Sequence, residues 1–198
     1  MRYERRMGAE GHVEIDLTSC LVQVEASKSW FARRVLPLSL EQLRWRPDPL
    51  HWSIAECLDH LNVTLGLYLP KIEQAVASGA RSGWNGRLET REAEVLKRIE
   101  PPVESRVEAP PATNPSTAVD PDDLVEGFYL TRDHYAEAVR RAGCLDSANI
   151  LIVEPVYPLI RTLGGTLGFL AAHDRRHMWQ AERLRTEGRF PRALFTSK

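Results

Sequence analysis

Apolar side chains recur at three- and four-residue intervals in four separate stretches of this 198-residue chain, with prolines and glycines between them. That spacing matches the 3.6-residue period of a helix that buries one face. Each stretch therefore predicts an amphipathic helix, and the breakers predict where it stops. The first runs from Val13 to about Leu36, carries Leu17, Leu21, Val24, Phe31 and Val35, and is ended by Pro37. One further turn is expected at Ser39–Leu43, before Trp45-Arg46-Pro47-Asp48-Pro49 interrupts regular structure. The second helix should begin at Ser53. Ser53 and Glu56 have the spacing of a capping box, in which each side chain satisfies an orphan amide of the first turn. Ile54, Leu58, Leu61, Leu65, Tyr68 and Ile72 continue its stripe, Pro70 should bend it, and Ser78-Gly79 can end it.

Residues 80–119 change character, with Gly83, Gly86, Pro101, Pro102, Pro110, Pro111 and Pro115 spread through a polar segment that one helical piece, Leu88 to Ile99, interrupts. A connection of this length reads as a lid or a strap laid over the helices, with Trp84 packed on the body. Asp120 before Pro121, Asp122 and Asp123 is a strong helix start, and the third helix carries Leu124, Phe128, Tyr135 and Val139 as far as Gly143. Ile150–Val153 can be extended, and Pro155 and Pro158 forbid a continuous helix there. Thr162 or Thr166 caps a fourth helix through Leu184. The expected fold is thus all-α, a four-helix bundle with long connections after helices two and three. It forms one domain over residues 12–188, followed by a tail at 189–198.

The chemistry concentrates in the fourth helix, at His173-Asp174-Arg175-Arg176-His177. Two imidazoles four residues apart lie one turn above the other and can reach one ion. On the helical wheel His177 falls within the apolar arc and His173 at its edge, so the pair faces the interior. Helices carry such pairs by chance, and a third ligand is needed. His60 sits at the border of the second helix's stripe, as an ordinary core histidine or as that ligand. His134, at the margin of the third helix, is a candidate fourth ligand or proton carrier. Glu56 and Asp174 are available to orient imidazoles, and Gln180 can bond a ligand or fill a buried polar gap. Arg176 is expected to pair with a carboxylate, and Cys57 to be a buried small hydrophobe before it is a ligand or nucleophile.

A net charge of −1 and scattered arginine pairs offer no track for a polyanion, which argues against nucleic acid as a partner. No stretch is apolar enough to span a bilayer, no secretory signal follows Met1, and the three cysteines lack CxxC spacing, so a reduced, cytoplasmic protein without a membrane partner is expected. Glycine-rich phosphate loops and G-x-S-x-G elbows are absent.

Trp52-Ser53-Ile54-Ala55-Glu56 leading to His60, together with His173-x-x-Arg176-His177-x-x-Gln180, resembles the DinB-like superfamily of metalloenzymes, and the resemblance extends from the first helix through Trp45-Arg46-Pro47 to Leu184. It implies a four-helix bundle holding a divalent metal on three histidines, which match here as His60, His173 and His177. Zinc is the first expectation, with nickel or iron as alternatives. It also implies a small-molecule substrate, a transferase acting with a low-molecular-weight thiol on an electrophile, and a homodimer. The alternative is a non-catalytic metal-binding or dimeric bundle with a stress-related or sensing role. Three neutral imidazoles would leave such an ion charged and open at one position, unlike a closed structural site.

Overall fold

The computed structural model describes residues 16–79, 90–103, 108–116, 119–157 and 159–192. Trp84 lies outside them, as do residues 13–15 and 88–89 of the expected helix starts. The described chain is mainly helical: α1 (Leu17–Arg34), α2 (Leu40–Arg44), α3 (Ile54–Ser78), α4 (Thr90–Ile99), α5 (Pro121–Ala142) and α6 (Leu163–Thr186). A 3-10 turn at Pro111–Thr113 precedes α5. A small antiparallel hairpin, β1 (Leu151–Val153) with β2 (Ile160–Thr162), pairs Ile152 with Arg161 and leads into α6.

The helix starts follow their local chemistry. Asp16 accepts from the Thr18 amide at 2.9 Å. Ser53 and Glu56 close the capping box, with the Ser53 amide donating to Glu56 Oε2 at 2.8 Å and the Glu56 amide to Ser53 Oγ at 3.2 Å. Asp120 caps α5 with Pro121 in its first turn, and Thr162, of the two threonines, caps α6 by accepting from the Gly165 amide at 2.9 Å. α3 runs unbroken through Pro70. Both Pro70 and Gly66, the residue whose carbonyl loses its amide partner, are exposed, so water can satisfy what the proline leaves unpaired.

At the α6 start a carboxylate from another helix completes the cap. Buried Glu92 of α4 accepts from the Thr162 amide at 2.7 Å and from its hydroxyl at 3.0 Å, where the positive end of the α6 dipole favours a negative charge. A Cβ on Gly165 would lie 2.3 Å from Glu92 Oε1, so the absence of a side chain there lets α4 approach.

α1 and α3 each lie against both α5 and α6. The interior they share is divided. One apolar cluster holds Val24, Leu65, Tyr68, Ile72, Tyr135, Val139, Leu167 and Leu170; the other holds Phe31, Ile54, Leu58, Leu61, Phe128, Ala181 and Leu184, with Phe31 stacked on Phe128 at 4.1 Å between ring centroids. Along every long helix the step between the clusters is polar: Ser27 on α1, His60 and Thr64 on α3, Arg132 on α5, Asp174 and His177 on α6, all buried.

Arg132 joins this layer together. Its guanidinium donates to Asp174 and, at 2.9 Å, to Asn62 Oδ1, and lies 3.6 Å over the Phe128 ring; the Ser27 hydroxyl bonds the same Asp174. Burial lowers the Arg132 pKa and Asp174 opposes the shift, so the guanidinium stays charged because the carboxylate is there. Removing one member would leave a buried charge uncompensated. Arg132→Ala should destabilise the fold by about 3–5 kcal/mol, whereas the paired replacement Arg132→Met with Asp174→Leu should cost far less. Urea unfolding of both variants beside the parent checks the difference.

Candidate metal centre

His60 comes from the second turn of α3, seven residues past the Ser53 cap, and His173 and His177 from successive turns of α6. Where the two helices face each other, in the polar layer, the three side chains meet. Candidate ligand atoms of the three lie within 4.8 Å of one another, and the Nε2 atoms of His60 and His177 are each 3.1 Å from Nε2 of His173. His60 and His177 are 3% and 5% exposed, while His173 keeps part of its surface open.

Aromatic rings wall the cluster. Trp52 packs on His60 and His177 with centroids at 4.8 and 5.9 Å, and Phe169 stacks on His173 at 5.6 Å with the planes 13° apart. Phe169 is held in turn by the hairpin, whose Arg161 lies 4.7 Å over its ring and pairs with buried Glu154; Tyr68 donates to the same Glu154 at 3.0 Å.

The Pro-rich connection supplies what sequence reasoning did not find. His60 Nδ1 is 2.6 Å from the carbonyl oxygen of Thr113, in the 3-10 turn. A carbonyl only accepts, so Nδ1 carries the proton and Nε2 presents its lone pair toward the other imidazoles. The turn is anchored to α3 one residue away, where the Ser116 amide donates to Asp59 Oδ2 at 2.6 Å. A backbone acceptor in an irregular segment has no periodic signature, which is why only the fold reveals it.

Other candidates fall elsewhere. Glu56 is committed to its capping box and to Arg46, and Asp174 to Arg132 and Ser27; neither carboxylate bonds an imidazole. His134 is exposed on α5, outside the cluster. Gln180 lies beside His177 and favours its protonated form, yet the buried Nδ1 of His177 has no hydrogen-bond partner. Cys57 is fully buried, its thiol pushed well up by desolvation, as suits a core residue. Arg176, expected to hold a carboxylate, has no ion pair among the described residues, and its buried Nη1 has no partner there.

The donor set fits a divalent ion. Burial lowers the pKa of all three imidazoles, those of His173 and His177 well below the usual 6.5, and each is further lowered by neighbouring positive charge, so all three are neutral ligands at neutral pH. Nitrogens bound at about 2.0–2.1 Å with a tetrahedral angle would sit about 3.4 Å apart, close to the 3.1 Å spacing present.

Two outcomes follow. Asp59→Ala releases the strap from α3 and should lower zinc affinity about tenfold or more through His60, with little change in helix content, read by competition with a chromophoric chelator and by circular dichroism. For metal-free protein, folded pKa values below the unfolded value mean that the unfolded chain binds more protons as the solution is acidified. This contribution is intact above about pH 6.5 and is lost as pH falls below it, by at most about 1.4 kcal/mol per imidazole per pH unit. The Tm should therefore be lower at pH 5.5 than at pH 7.5, and His177→Gln should shrink the difference.

No helix of the described residues is long and apolar enough to cross a membrane. No curated protein and no solved structure matches the chain. The family model of the DinB superfamily matches residues 23–181, a span that reaches from α1 through all three clustered histidines and ends just short of the last turn of α6. The chain belongs to the DinB superfamily.

Proposed function

We propose that the protein is a metal-dependent enzyme of the four-helix-bundle type, holding one divalent ion on His60, His173 and His177 and transferring a low-molecular-weight thiol to a small electrophile, with hydrolysis as the close variant. The observation that carries the reading is the convergence of three neutral imidazoles on one point with His173 left partly open. A divalent ion bound there supplies charge that favours the deprotonated, nucleophilic form of a thiol or a water near it at neutral pH. The chain's own groups do the rest. The Thr113 carbonyl holds the His60 tautomer, Trp52 and Phe169 keep bulk water from two sides, and the arginine-braced hairpin keeps Phe169 in place. Zinc is the first candidate for a His₃ set, with nickel and iron next.

A structural role for the ion is the second reading, favoured by one observation: the cluster joins α3, α6 and the strap in the middle of the core. The two readings separate experimentally. Elemental analysis of protein made without a histidine tag should give about one divalent ion per chain, and the His60→Ala and His177→Ala variants should lose most of it. The catalytic reading then expects turnover with a panel of small thiols and electrophiles, or of activated esters, that disappears with the metal. A metal-bound protein that turns over none of them, and whose Tm collapses on chelation, would be a structural metalloprotein instead.

A further inference from the structure

α6 carries four arginines in its last four turns, and three have partners. Arg175 holds Glu100 through two hydrogen bonds at 2.6 and 2.9 Å, Arg183 lies over the Trp179 ring, and Arg185 pairs with Glu182. Among the described residues Arg176 has no such partner. It lies three residues after His173, about one turn on, and it is partly buried, with Nη1 withdrawn from solvent and unbonded among the described residues. Its positive charge acts on all three clustered imidazoles.

A guanidinium is seldom buried without an acceptor, because the lost hydration is not returned. The acids that could have served are occupied: Glu56 by Arg46, Asp59 by the Ser116 amide, Asp174 by Arg132 and Ser27. None of these carboxylates bonds Arg176, and a divalent ion on the histidines would add positive charge beside it. Arg176 and His173 both keep part of their surface exposed, so an anion from solution can reach either residue. The other guanidinium that acts on the cluster, Arg132, is already paired with Asp174, and the planar fork of Arg176 suits a monoanionic, planar carboxylate better than a phosphate dianion.

We propose that Arg176 is the anion-binding residue of this site and that the substrate it selects is a small organic molecule bearing a carboxylate, held with its reacting end toward the histidine cluster. The proposal rests on the reading of the cluster as a metal site and adds the substrate class to it. Arg176 binds substrate in this scheme and is not a metal ligand.

The test titrates the full chain, zinc-loaded and metal-free, with benzoate, propionate and inorganic phosphate by calorimetry, for the parent, Arg176→Gln and Arg176→Lys. Benzoate should bind the parent more tightly than phosphate does, Arg176→Gln should weaken it about tenfold or more, and Arg176→Lys should restore part of the loss. Zinc content and Tm should be unchanged in Arg176→Gln. Equal benzoate affinity in the parent and Arg176→Gln, no carboxylate binding by the parent at tens of millimolar, or tighter binding of phosphate would overturn the proposal. So would loss of zinc or of the fold in Arg176→Gln, which would make the residue structural. If the parent holds no zinc yet binds benzoate through Arg176, the metal reading fails and the anion site stands.

Discussion

The Arg132–Asp174 contact is the interaction on which the arrangement of the long helices depends. With Asn62 and Ser27 it takes one side chain from each of α1, α3, α5 and α6 into a single buried network. An apolar core tolerates some sliding of one helix along another, because greasy contacts are non-directional. A charged pair buried between two apolar clusters does not. Any rotation of α6 that moved Asp174 away would leave a guanidinium uncompensated in the core, at a cost of several kcal/mol. Asp174 is the residue after His173, so the network that sets the rotation of α6 also sets the direction of its histidines.

The same polar layer has an uneven distribution of charge. Around Arg132 it is balanced by Asp174. On the side where the imidazoles meet there is no bound carboxylate; the three rings are neutral and Arg176 adds a positive charge beside them. One half of the layer therefore closes on itself through an ion pair, and the other half holds three imidazoles with Asp59 and Arg176 acting on them.

The long connection between α3 and α5 belongs to the site as much as to the surface. Its 3-10 turn supplies the acceptor that sets the His60 tautomer, and Asp59 holds that turn in place from the preceding position of α3. The strap and the imidazole it orients are thus fastened to consecutive residues.

Much of this was legible before any coordinates. Caps are local, so Ser53 and Asp120 announced their helices, Thr162 was one of two threonines able to start the last, and the apolar period set which faces went inward. His173 and His177 were readable as a pair from their spacing alone, and a family resemblance added His60. Long-range partners were not readable. Arg132 looks like one of many arginines on an amphipathic helix, and nothing local distinguishes it from the solvated Arg140 or Arg141. Glu56 looked like an imidazole partner because it is one turn from His60, but its capping duty and Arg46 claim it. Arg176 looked paired because arginines in acidic company usually are, and the acids turned out to be spoken for.

The amino-acid order by itself determined the helices, their buried faces and the presence of histidines at the core boundary, because each of these depends on residues within a turn or two of one another. Tertiary structure alone decided that three Nε2 atoms meet, that a carbonyl 53 residues from His60 in the chain fixes its proton, and that Arg176 finds no acid. Those outcomes depend on the rotation and depth of whole helices, which are set by packing summed over the entire core.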